Sequence, residues 1–346
     1  MRVLVTGGAG FIGSHFARHL LCQYPQYRVT VLDALTYAGN LSNLADLMDN
    51  PNFAFYHGDV RDPVVVRNLV RNHDWVVNFA AETHVDRSIL HPGSFLQTDV
   101  YGAYVLLEAC REFGGKRFLQ VSTDEVYGEV LEGFAPEEAP LRPRSPYSAS
   151  KAAAELLVQA YRITYGLDVR ITRGSNTYGP NQYPEKMIPL FITNALEGRP
   201  LPLYGDGSQV RDWIYVEDHC TAIDTVLHHG EPGGVYNIGA GNLLKNRTVA
   251  EKILEILGKP ASLIQSVADR PGHDRRYAVD TSHLRQMGWS PRWSFEAGLE
   301  HTVQWYRTHS QWWKEIKSQK EYQQFASQWY QQRGQTAPKQ GETEEN

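Results

Sequence analysis

The sequence predicts a doubly wound α/β fold with a parallel central sheet and a second, smaller lobe. Short runs rich in Val, Ile and Leu alternate with amphipathic stretches along the first half of the chain, a pattern typical of βαβ units. Several runs are almost wholly apolar, as expected for parallel strands that helices cover on both faces. A glycine-rich turn separates the first run from the first amphipathic stretch.

The predicted elements follow one another in a regular order. Strands are expected at residues 2–6, 28–33, 53–57, 75–79, 117–122, 168–173 and 235–238. Helices are expected at residues 11–22, 63–72, 94–113, 149–165 and 248–257. After about residue 176, prolines divide the chain into short pieces, and the regular alternation ends there.

Length and composition restrict the class of protein. The 346 residues predict two domains, or one large domain with an inserted lobe, and the 42% hydrophobic and 21% charged residues exclude a disordered chain. The net charge of −5 argues against a nucleic-acid binder, and no apolar run approaches the roughly 20 residues of a membrane span. The N-terminus lacks a secretory signal pattern, and three scattered cysteines favour neither disulfides nor a metal site. We therefore expect a cytoplasmic protein without a metal and without nucleic-acid or membrane partners.

A glycine pattern follows the first predicted strand. The glycines of residues 6–13 (TGGAGFIG) allow a tight turn and close approach of the backbone to a pyrophosphate, and the next helix offers its N-terminal N–H groups to phosphate. Asp33 ends the second strand, where a carboxylate accepts hydrogen bonds from ribose hydroxyls and repels a 2′-phosphate. Asp59 and Val60 are expected beside adenine, or alternatively form a simple strand-end turn. The sequence thus predicts a Rossmann-type domain that binds NAD rather than NADP.

The domain organisation follows from these patterns. We expect an NAD-binding domain, to which one later segment returns, a substrate-binding lobe in two pieces, and a partly disordered C-terminal extension. The NAD-binding domain is expected at residues 1–176, with residues 212–239 returning to it. The substrate-binding lobe is expected at residues 177–211 and 240–313. The C-terminal extension is expected at residues 314–346, with a disordered tail at 334–346. Six of the eight tryptophans lie at or beyond Trp289. We interpret them as surface aromatic residues that pack a C-terminal helix, the alternative being a binding role.

Tyr147 and Lys151 lie four residues apart and therefore share one face of a helix. An ammonium and a nicotinamide cation nearby would lower the pKa of the phenol toward neutrality. The tyrosinate can then take a proton from a carbinol while a hydride leaves its carbon. A Tyr–Lys pair at this spacing is common by itself. Here it follows a glycine pattern, and Ser122 and Thr123 end an intervening strand, so the combination predicts a catalytic pair.

Two adjacent carboxylates, Asp124 and Glu125, follow Thr123 at the carboxyl end of a strand, where α/β folds bind ligands. Hydride transfer needs no further acids. A β-elimination needs one group to remove a carbon-bound proton and another to protonate the departing hydroxyl. Like charges this close raise one pKa, so one acid can stay protonated. The alternative is that Asp124 caps the following turn and Glu125 is solvated.

Several segments between residue 1 and about residue 313 carry a family pattern. They are TGGAGFIGSH (6–15), LDALTYAGNLSNL (32–44), FAAETHVDRSI (79–89), STDEVYGE (122–129), SPYSASKAAAE (145–155), YGPNQYPEKMIPLFI (178–192), LPLYGDGSQVRDWIYVEDH (201–219) and DRPGHDRRYAVD (269–280). The sequence resembles the extended short-chain dehydrogenase/reductase family, and within it the nucleotide-sugar 4,6-dehydratases. The Asp-Glu pair distinguishes these from the sugar-nucleotide epimerases, which share the scaffold.

The resemblance implies a redox-neutral dehydration of dTDP-glucose to its 4-keto-6-deoxy product, in deoxysugar biosynthesis, with NAD as the cofactor. Tyr147, assisted by Thr123, would deprotonate the 4-hydroxyl as hydride leaves C4. Glu125 would then remove the C5 proton, and Asp124 would protonate the leaving 6-hydroxyl before hydride returns to C6.

The resemblance also implies binding residues and an assembly. Cofactor residues would be Gly7, Gly10, Phe11, Ile12, Gly13, Asp33, Asp59, Val60, Ala80, Ala81, Thr98, Tyr147 and Lys151. Substrate residues would be Thr83, Thr123, Asn176, Glu185, Lys186, Pro202, Leu203, Tyr204, Arg211, Asn246, Arg270 and His273. By residue type alone, Arg211 equally fits a salt bridge with Asp206 or Asp212. A homodimer is expected through residues 94–113 and 149–165, whose apolar stripes hold Tyr104, Leu107, Ala152 and Leu156.

Four positions depart from the usual family pattern. Thr177 and Asp99 stand where Asn is usual, Gly174 where Cys or Ala is common, and Asn181 where Tyr is frequent. Thr177 removes an expected cofactor contact. None of the four is a proposed acid, base or tyrosine, so they bear on substrate preference rather than on activity.

Other functions stay open from the sequence. A UDP-sugar 4-epimerase, a decarboxylase or a UDP-glucose 4,6-dehydratase would use the same scaffold. A non-catalytic NAD-binding sensor would keep the fold and lose turnover, although the presence of Tyr147, Lys151, Asp124 and Glu125 together argues against it.

Overall fold

The computed structural model describes residues 1–331, and the tail predicted at 334–346 lies outside them. Its strands are β1 (Arg2–Thr6), β2 (Arg28–Asp33), β3 (Phe53–His57), β4 (Trp75–Asn78), β5 (Arg117–Thr123), β6 (Asp168–Gly174), β7 (Asn176–Tyr178), β8 (Leu201–Tyr204), β9 (Val210–Tyr215), β10 (Val235–Ile238), β11 (Leu243–Lys245) and β12 (Ile264–Val267). Its α-helices are α1 (Phe11–Gln23), α2 (Pro63–Arg71), α3 (Val85–Leu90), α4 (Pro92–Phe95), α5 (Gly102–Phe113), α6 (Pro146–Tyr165), α7 (Met187–Leu196), α8 (Val216–His229), α9 (Asn246–Leu257), α10 (Ser282–Gln286), α11 (Phe295–Thr308), α12 (Ser310–Ser318) and α13 (Lys320–Ala326). Short 3₁₀ turns cover Leu41–Leu47, Asp124–Tyr127 and Ala261–Leu263, and π-helical turns cover Leu96–Tyr101 and Ser327–Gln331.

The main sheet has seven parallel strands in the order β10-β6-β5-β4-β1-β2-β3. In its register, Val3 pairs with Val29 on one side and with Trp75 on the other. The strand order reverses at β1, and ligands of open α/β sheets bind at the carboxyl ends beside such a reversal. The predicted doubly wound fold is therefore confirmed, and each predicted strand is present.

Both faces of the sheet are buried because side chains alternate along each strand. Val3 and Val5 pack in the apolar cluster that contains Phe16 of α1, whereas Leu4 packs in the opposite cluster with Val158 of α6. Helices α1 and α8 contact each other, and α5 contacts both α2 and α6. This double covering explains why β1 reads as a continuous apolar run in the sequence.

The smaller lobe is built on two short sheets. Strand β9 lies between β7 and β11, parallel to the first and antiparallel to the second, while β8 pairs with β12 in parallel. Helices α7, α9 and α11 pack together against this region. The domain boundaries drawn from the sequence stay predictions.

Three elements differ from the sequence prediction. The helix expected at 94–113 is divided into α4, a π-helical turn and α5, and α6 begins three residues before its expected start. Residues 314–331 are largely helical, and Trp313 and Trp329 are only 2% and 4% exposed. The prediction of surface aromatic residues was therefore wrong for these two side chains. Among the helices of residues 1–331, none combines the length and apolar character needed to cross a membrane.

Candidate active site

Two adjoining cavities open at the carboxyl edge of the main sheet. The larger, of about 290 Å³, extends from the glycine turn after β1 to the end of β6. The smaller, of about 130 Å³, lies beside α7, β8 and β9. Glu125, Asn176 and Lys186 line both cavities, which therefore meet at these three side chains.

The glycine turn forms one end of the larger cavity. Gly7 has φ of +67°, a conformation that favours glycine, and its N–H donates to the Leu32 carbonyl oxygen at 2.8 Å. A Cβ at Gly13 would clash with the Gly7 carbonyl oxygen, so only glycine allows this close packing of turn and helix. Helix α1 follows Gly10 with no side-chain cap and no acidic residue in its first turn. Its N-terminal N–H groups are therefore suited to a pyrophosphate, and the turn fits NAD.

Asp33 joins the end of β2 to this turn. Its carboxylate accepts hydrogen bonds from the Ala9 N–H at 2.9 Å and the Leu35 N–H at 2.8 Å. Burial raises the pKa of Asp33, and these backbone hydrogen bonds oppose the rise. Asp59 also lines the cavity, but Arg61 donates to its carboxylate at 2.6 Å. Asp59 therefore forms the strand-end turn considered as the alternative and also borders the cavity.

Helix α6 brings Tyr147 and Lys151 to the same cavity. Ser145 and Ser148 form a capping box, in which each side chain accepts a hydrogen bond from the other residue's backbone N–H at 3.1 Å. The helix consequently starts at Pro146, and Tyr147 lies in its first turn. Lys151 Nζ donates to the Val121 carbonyl oxygen at 2.8 Å, which fixes the ammonium against the end of β5.

Burial dominates the electrostatics of Tyr147. Burial raises its pKa well above the ordinary value, Glu125 and Asp99 raise it further, and a hydrogen bond with Thr123 opposes the rise. Lys151, whose own pKa burial lowers, is not among the main influences on the phenol. In the protein alone, desolvation dominates the pKa of Tyr147, and the lowering predicted for a site that also holds a nicotinamide cation stays a prediction. A bound nicotinamide would supply further positive charge there.

The acidic pair after β5 points into the site. Thr123 caps the following turn by accepting from the Glu125 N–H at 3.3 Å, and its hydroxyl donates to Asp124 Oδ1 at 3.2 Å. Asp124 Oδ2 is buried and has no hydrogen-bond partner within residues 1–331. Glu125 lines both cavities. Asp124 is thus not the cap, and Glu125 is not a solvated surface group.

Burial raises the pKa of both acids, but their neighbours differ. Asp124 is 3% exposed, and the adjacent Glu125 adds to burial, so the pKa of Asp124 lies well above its ordinary value. Around Glu125 the positive side chains of Arg270, Arg211 and Lys186 oppose burial, so its pKa is raised less. We infer that Asp124 holds the proton when Glu125 is ionised, which gives the pair one acid and one base.

Arg211 supplies buried positive charge to the smaller cavity. The residue is 4% exposed, and its guanidinium donates to two backbone carbonyl oxygens at 2.8 Å and lies 4.1 Å from the centre of the Tyr277 ring. Within residues 1–331, Arg211 forms no salt bridge with Asp206 or Asp212, so that alternative is not observed. Backbone contacts hold the guanidinium without neutralising it, which leaves its charge for an anionic ligand.

His219 accounts for two of the four sequence departures. Its Nδ1 lies 2.6 Å from Thr177 Oγ1, and its ring fills the space that a Cβ at Gly174 would need. All three residues line the larger cavity. Burial lowers the pKa of His219 to about 4, so the ring is neutral at neutral pH. Thr177 and Gly174 are therefore adapted to this imidazole.

Asp99, a third departure, is a buried acid beside the Tyr–Lys pair. It accepts hydrogen bonds from the Ser150 hydroxyl at 2.6 Å and from the Glu82 N–H at 2.8 Å. Burial raises its pKa to about 7, although Lys151 opposes the rise. The fourth departure, Asn181, has φ of +62°. It follows β7 in the chain and is not a neighbour in sequence of Asp99 or of the Tyr–Lys pair.

The residues selected from the sequence all line one of the two cavities. The larger cavity is lined by Gly7, Gly10, Phe11, Ile12, Gly13, Asp33, Asp59, Val60, Ala80, Ala81, Thr83, Thr98, Thr123, Asp124, Glu125, Tyr147, Lys151, Asn176 and Lys186. The smaller cavity is lined by Glu125, Asn176, Glu185, Lys186, Pro202, Leu203, Tyr204, Arg211, Asn246, Arg270 and His273. Their roles remain proposals.

Sequence reasoning missed several residues of these walls. His84 and Asp86 line the smaller cavity and His219 the larger. The Tyr277 hydroxyl lies 3.4 Å from Glu125 Oε2 and donates to Asp274 at 2.7 Å. All these residues lie in the family-like segments quoted above as ordinary polar side chains, so only the folded arrangement singles them out. Within residues 1–331, no group of three or more His, Cys, Asp or Glu side chains could hold a metal ion.

The chain matches known proteins over most of its length. The family model for GDP-mannose 4,6 dehydratase matches residues 4–302. The low-salt glycan biosynthesis protein Agl12 of Haloferax volcanii is 55% identical, over 88% of this chain and 98% of that protein. A dTDP-glucose 4,6-dehydratase of Streptomyces antibioticus is 50% identical, over 92% of this chain and 96% of that protein.

A solved structure agrees with these sequence matches. The crystal structure of a dTDP-glucose 4,6-dehydratase from Streptomyces venezuelae with NAD bound matches with a TM-score of 0.90 and 51% identity, over 92% of this chain and 100% of that chain. The resemblance inferred from the motifs is therefore confirmed. By fold, sites and sequence, this chain belongs to the GDP-mannose 4,6 dehydratase family.

Proposed function

We propose that this chain catalyses the NAD-dependent dehydration of dTDP-glucose to dTDP-4-keto-6-deoxyglucose, a step of deoxysugar biosynthesis. The observation that carries the proposal is that Asp124 and Glu125 line the same cavity as Tyr147 and Lys151. Relatives at about 50% identity that are dTDP-glucose 4,6-dehydratases support it.

Tyr147 and Thr123 act on the 4-hydroxyl of the hexose. NAD held in the larger cavity would supply reversible hydride transfer, from C4 of the hexose and back to C6. Tyr147 takes the hydroxyl proton, and Thr123 hydrogen-bonds the same oxygen. Lys151 Nζ, held by the Val121 carbonyl oxygen, contributes positive charge that favours the phenolate form of Tyr147, which is the form able to accept this proton. Positioned proton transfer of this kind contributes typically about 10²–10⁴-fold to a rate.

Asp124 and Glu125 carry out the elimination. The 4-ketone acidifies the C5–H bond, and Glu125 removes that proton. As the C6–O bond breaks, Asp124 donates its proton to the 6-hydroxyl oxygen, which leaves as water. A double bond now joins C5 and C6. The proton on Glu125 exchanges with solvent, and Glu125 then delivers a proton to C5 as the hydride reaches C6, which completes the 4-keto-6-deoxy sugar.

The acidic pair also separates this function from the alternatives. A 4-epimerase needs Tyr147 and Lys151 but gives Asp124 no task, although this carboxyl group is buried with no partner for Oδ2 among residues 1–331. Burying an unpaired acid destabilises a protein by several kcal/mol in order of magnitude. A sensor without turnover would gain nothing from such a group, so we favour the dehydratase over the epimerase, the decarboxylase and the sensor.

We infer that the smaller cavity binds the nucleoside diphosphate. Arg211, which is buried, and Arg270, which is half-buried, bring two guanidinium groups to it, suited to phosphate oxygens. Leu203, Pro202 and Phe191 line the same cavity with apolar surface that suits a base.

Mass spectrometry tests the proposed function directly. dTDP-, UDP- and GDP-glucose are offered side by side to the purified protein with NAD. We expect a product one water lighter than the substrate, formed fastest from dTDP-glucose. A product of unchanged mass that is the C4 epimer would overturn the proposal in favour of the epimerase, and faster turnover of UDP-glucose would change the assigned nucleotide.

We further propose that the chain forms a homodimer through α5 and α6. Tyr104, Leu156 and Ile163 are exposed on these helices, and Ile163 is 85% exposed. Leu107 and Ala152, which the sequence suggested for this surface, are buried instead in the monomer core, so they were wrong choices. An exposed apolar surface on two neighbouring helices is typical of a protein interface.

We also propose a cytoplasmic location. All three cysteines within the described chain are free, and Cys22 is exposed. A free exposed thiol is typical of a reducing compartment. Cell fractionation tests this proposal, and recovery of the protein from an oxidising compartment would contradict it.

A further inference from the structure

The last helical part of the described chain packs behind the smaller cavity. We refer to residues 320–331, which include α13 and the π-helical turn after it, as the C-terminal segment. Trp329, buried in this segment, donates its indole N–H to the Tyr204 hydroxyl oxygen at 2.5 Å. The Tyr204 hydroxyl donates to Asp86 Oδ2 at 2.6 Å, and Asp86 Oδ1 accepts from Arg270 at 2.8 Å. Tyr204, Asp86 and Arg270 line the smaller cavity. Hydrogen bonds therefore connect Trp329 to the wall of that cavity.

Phe325 supports the same wall from a second position. Its buried ring meets His84 edge-on, with 5.5 Å between the centroids, and stacks with Trp329 at 6.4 Å. It also lies 4.6 Å from the guanidinium of Arg87, which donates to Glu185 at 2.8 Å. His84 and Glu185 line the smaller cavity. The two aromatic rings therefore form a layer directly behind residues that face a ligand.

Other contacts anchor the C-terminal segment. The buried Tyr322 donates to the Pro184 carbonyl oxygen at 3.1 Å, and Glu321 pairs with Arg87 at 3.2 Å. Lys317, near the end of α12, pairs with Glu197 at 2.8 Å. Loss of a single indole N–H should therefore leave the segment in place, so its effect on binding can be measured in a folded protein.

The contacts of the segment belong to one end of the site. Tyr204, Asp86 and His84 line the smaller cavity and not the larger one, which contains Tyr147 and Asp124. We assigned the smaller cavity to the nucleoside diphosphate, so this step rests on the proposed function. A change in the segment should alter nucleotide affinity and leave the chemistry at the hexose intact.

We propose that Trp329 and Phe325 are positioning residues for the nucleoside diphosphate of the substrate, acting through Tyr204 and His84. The indole N–H and Asp86 both hydrogen-bond the Tyr204 hydroxyl, and Asp86 also accepts from the guanidinium of Arg270. Groups that are held in place before binding lose less conformational freedom on binding, which increases affinity.

Equilibrium binding of dTDP, measured by calorimetry, tests this proposal together with steady-state kinetics. The variants are Trp329→Phe, which keeps a ring and loses the N–H, Tyr204→Phe, and the double variant. Phe325→Leu tests the second ring. Trp305→Phe is the matched control, because Trp305 packs on His309 and Trp312 and lines neither cavity.

We expect Trp329→Phe to raise the Kd for dTDP and the KM by about 3- to 10-fold, as for loss of one hydrogen bond, with kcat within about 2-fold of wild type. The double variant should bind no more weakly than the weaker single variant, because both changes interrupt the same contact. Phe325→Leu should raise the Kd, and Trp305→Phe should change nothing.

An unchanged Kd in both Trp329→Phe and Phe325→Leu would overturn the positioning role. A fold-change in Kd for the double variant equal to the product of the fold-changes for Trp329→Phe and Tyr204→Phe would also overturn it. A fall in kcat at unchanged Kd would also overturn it. If the wild type binds dTDP but forms no dehydrated product, the proposed function fails while the positioning role stands.

Discussion

Asp124 and Glu125 are neighbours in the chain and share the influence of Arg211, yet the other charges around the two side chains differ. Burial and the adjacent acid raise the pKa of Asp124 well above its ordinary value. Glu125 faces Arg270, Arg211 and Lys186, which limit the rise of its pKa. The dipeptide was visible in the sequence, but its division into an acid and a base depends on cations from distant segments. The sequence could therefore predict the reaction type, while the charge pattern required the fold.

Asp99 makes a testable contribution to stability at the residue scale. Its pKa is about 7 in the folded protein, mainly because of burial, against an ordinary value near 3.8. The folded state therefore binds more protons than the unfolded chain between about pH 4 and pH 7, so Asp99 lowers stability as the pH rises through that range. The free energy of unfolding of Asp99→Asn, relative to that of the wild type, should therefore increase by up to about 4 kcal/mol as the pH rises from 4 to 8.

Urea unfolding of both proteins at several pH values measures this difference. Asp46→Asn is the control of opposite sign, because the hydrogen bond from Arg18 helps to lower the pKa of Asp46 in the folded state. A stability difference between Asp99→Asn and wild type that stays constant with pH would contradict the expectation.

At the scale of elements, local signals predicted most of the architecture. The apolar runs that became β1, β2 and β3 were placed at their observed bounds. The start of α6 was misplaced because Pro146 was not interpreted as the first helical residue after the Ser145 cap. A C-terminal helix was expected from the late tryptophans, but the burial of Trp313 and Trp329 was missed, because these rings are interspersed with Gln and Lys and only tertiary contacts reveal the buried side.

The capping box of α6 provides a prediction at this scale. Ser145→Ala removes the acceptor for the Ser148 N–H and should lower the free energy of unfolding by about 1 kcal/mol. The first turn carries Tyr147, so kcat should fall while NAD binding changes little. Denaturant unfolding and kinetics measure both effects, with the exposed Ser262→Ala as the control. Equal stability of Ser145→Ala and wild type would show that the cap contributes nothing.

At the scale of the whole molecule, two cavities from different parts of the chain meet at Glu125. The main sheet supplies the larger cavity, and the smaller lobe supplies much of the other. The residues selected from the sequence came from both parts, because the family-like segments extend along nearly the whole chain. Trp329, which lies behind the smaller cavity, and His219, which lines the larger one, could not be selected, because nothing local distinguishes these aromatic rings from any other.

The exposed faces of α5 and α6 carry a prediction about assembly. We expect the wild type to be a dimer in size-exclusion chromatography with light scattering. Ile163→Glu and Leu156→Glu should shift it toward monomer, because a charge would be buried at the interface. Val64→Glu, at another exposed apolar position on α2, should leave the dimer intact. A monomeric wild type at micromolar concentration would contradict the proposed interface.

Hydrogen exchange at C5 tests the acid–base division most directly. The enzyme is incubated with dTDP-glucose in D₂O, and deuterium at C5 is measured by mass spectrometry for the wild type, Glu125→Gln and Asp124→Asn. We expect deuterium at C5 with the wild type, none with Glu125→Gln although NAD stays bound, and continued exchange with Asp124→Asn while loss of water slows by about 10²–10⁴-fold. Exchange at the wild-type rate in Glu125→Gln would contradict the assignment of Glu125 as the base.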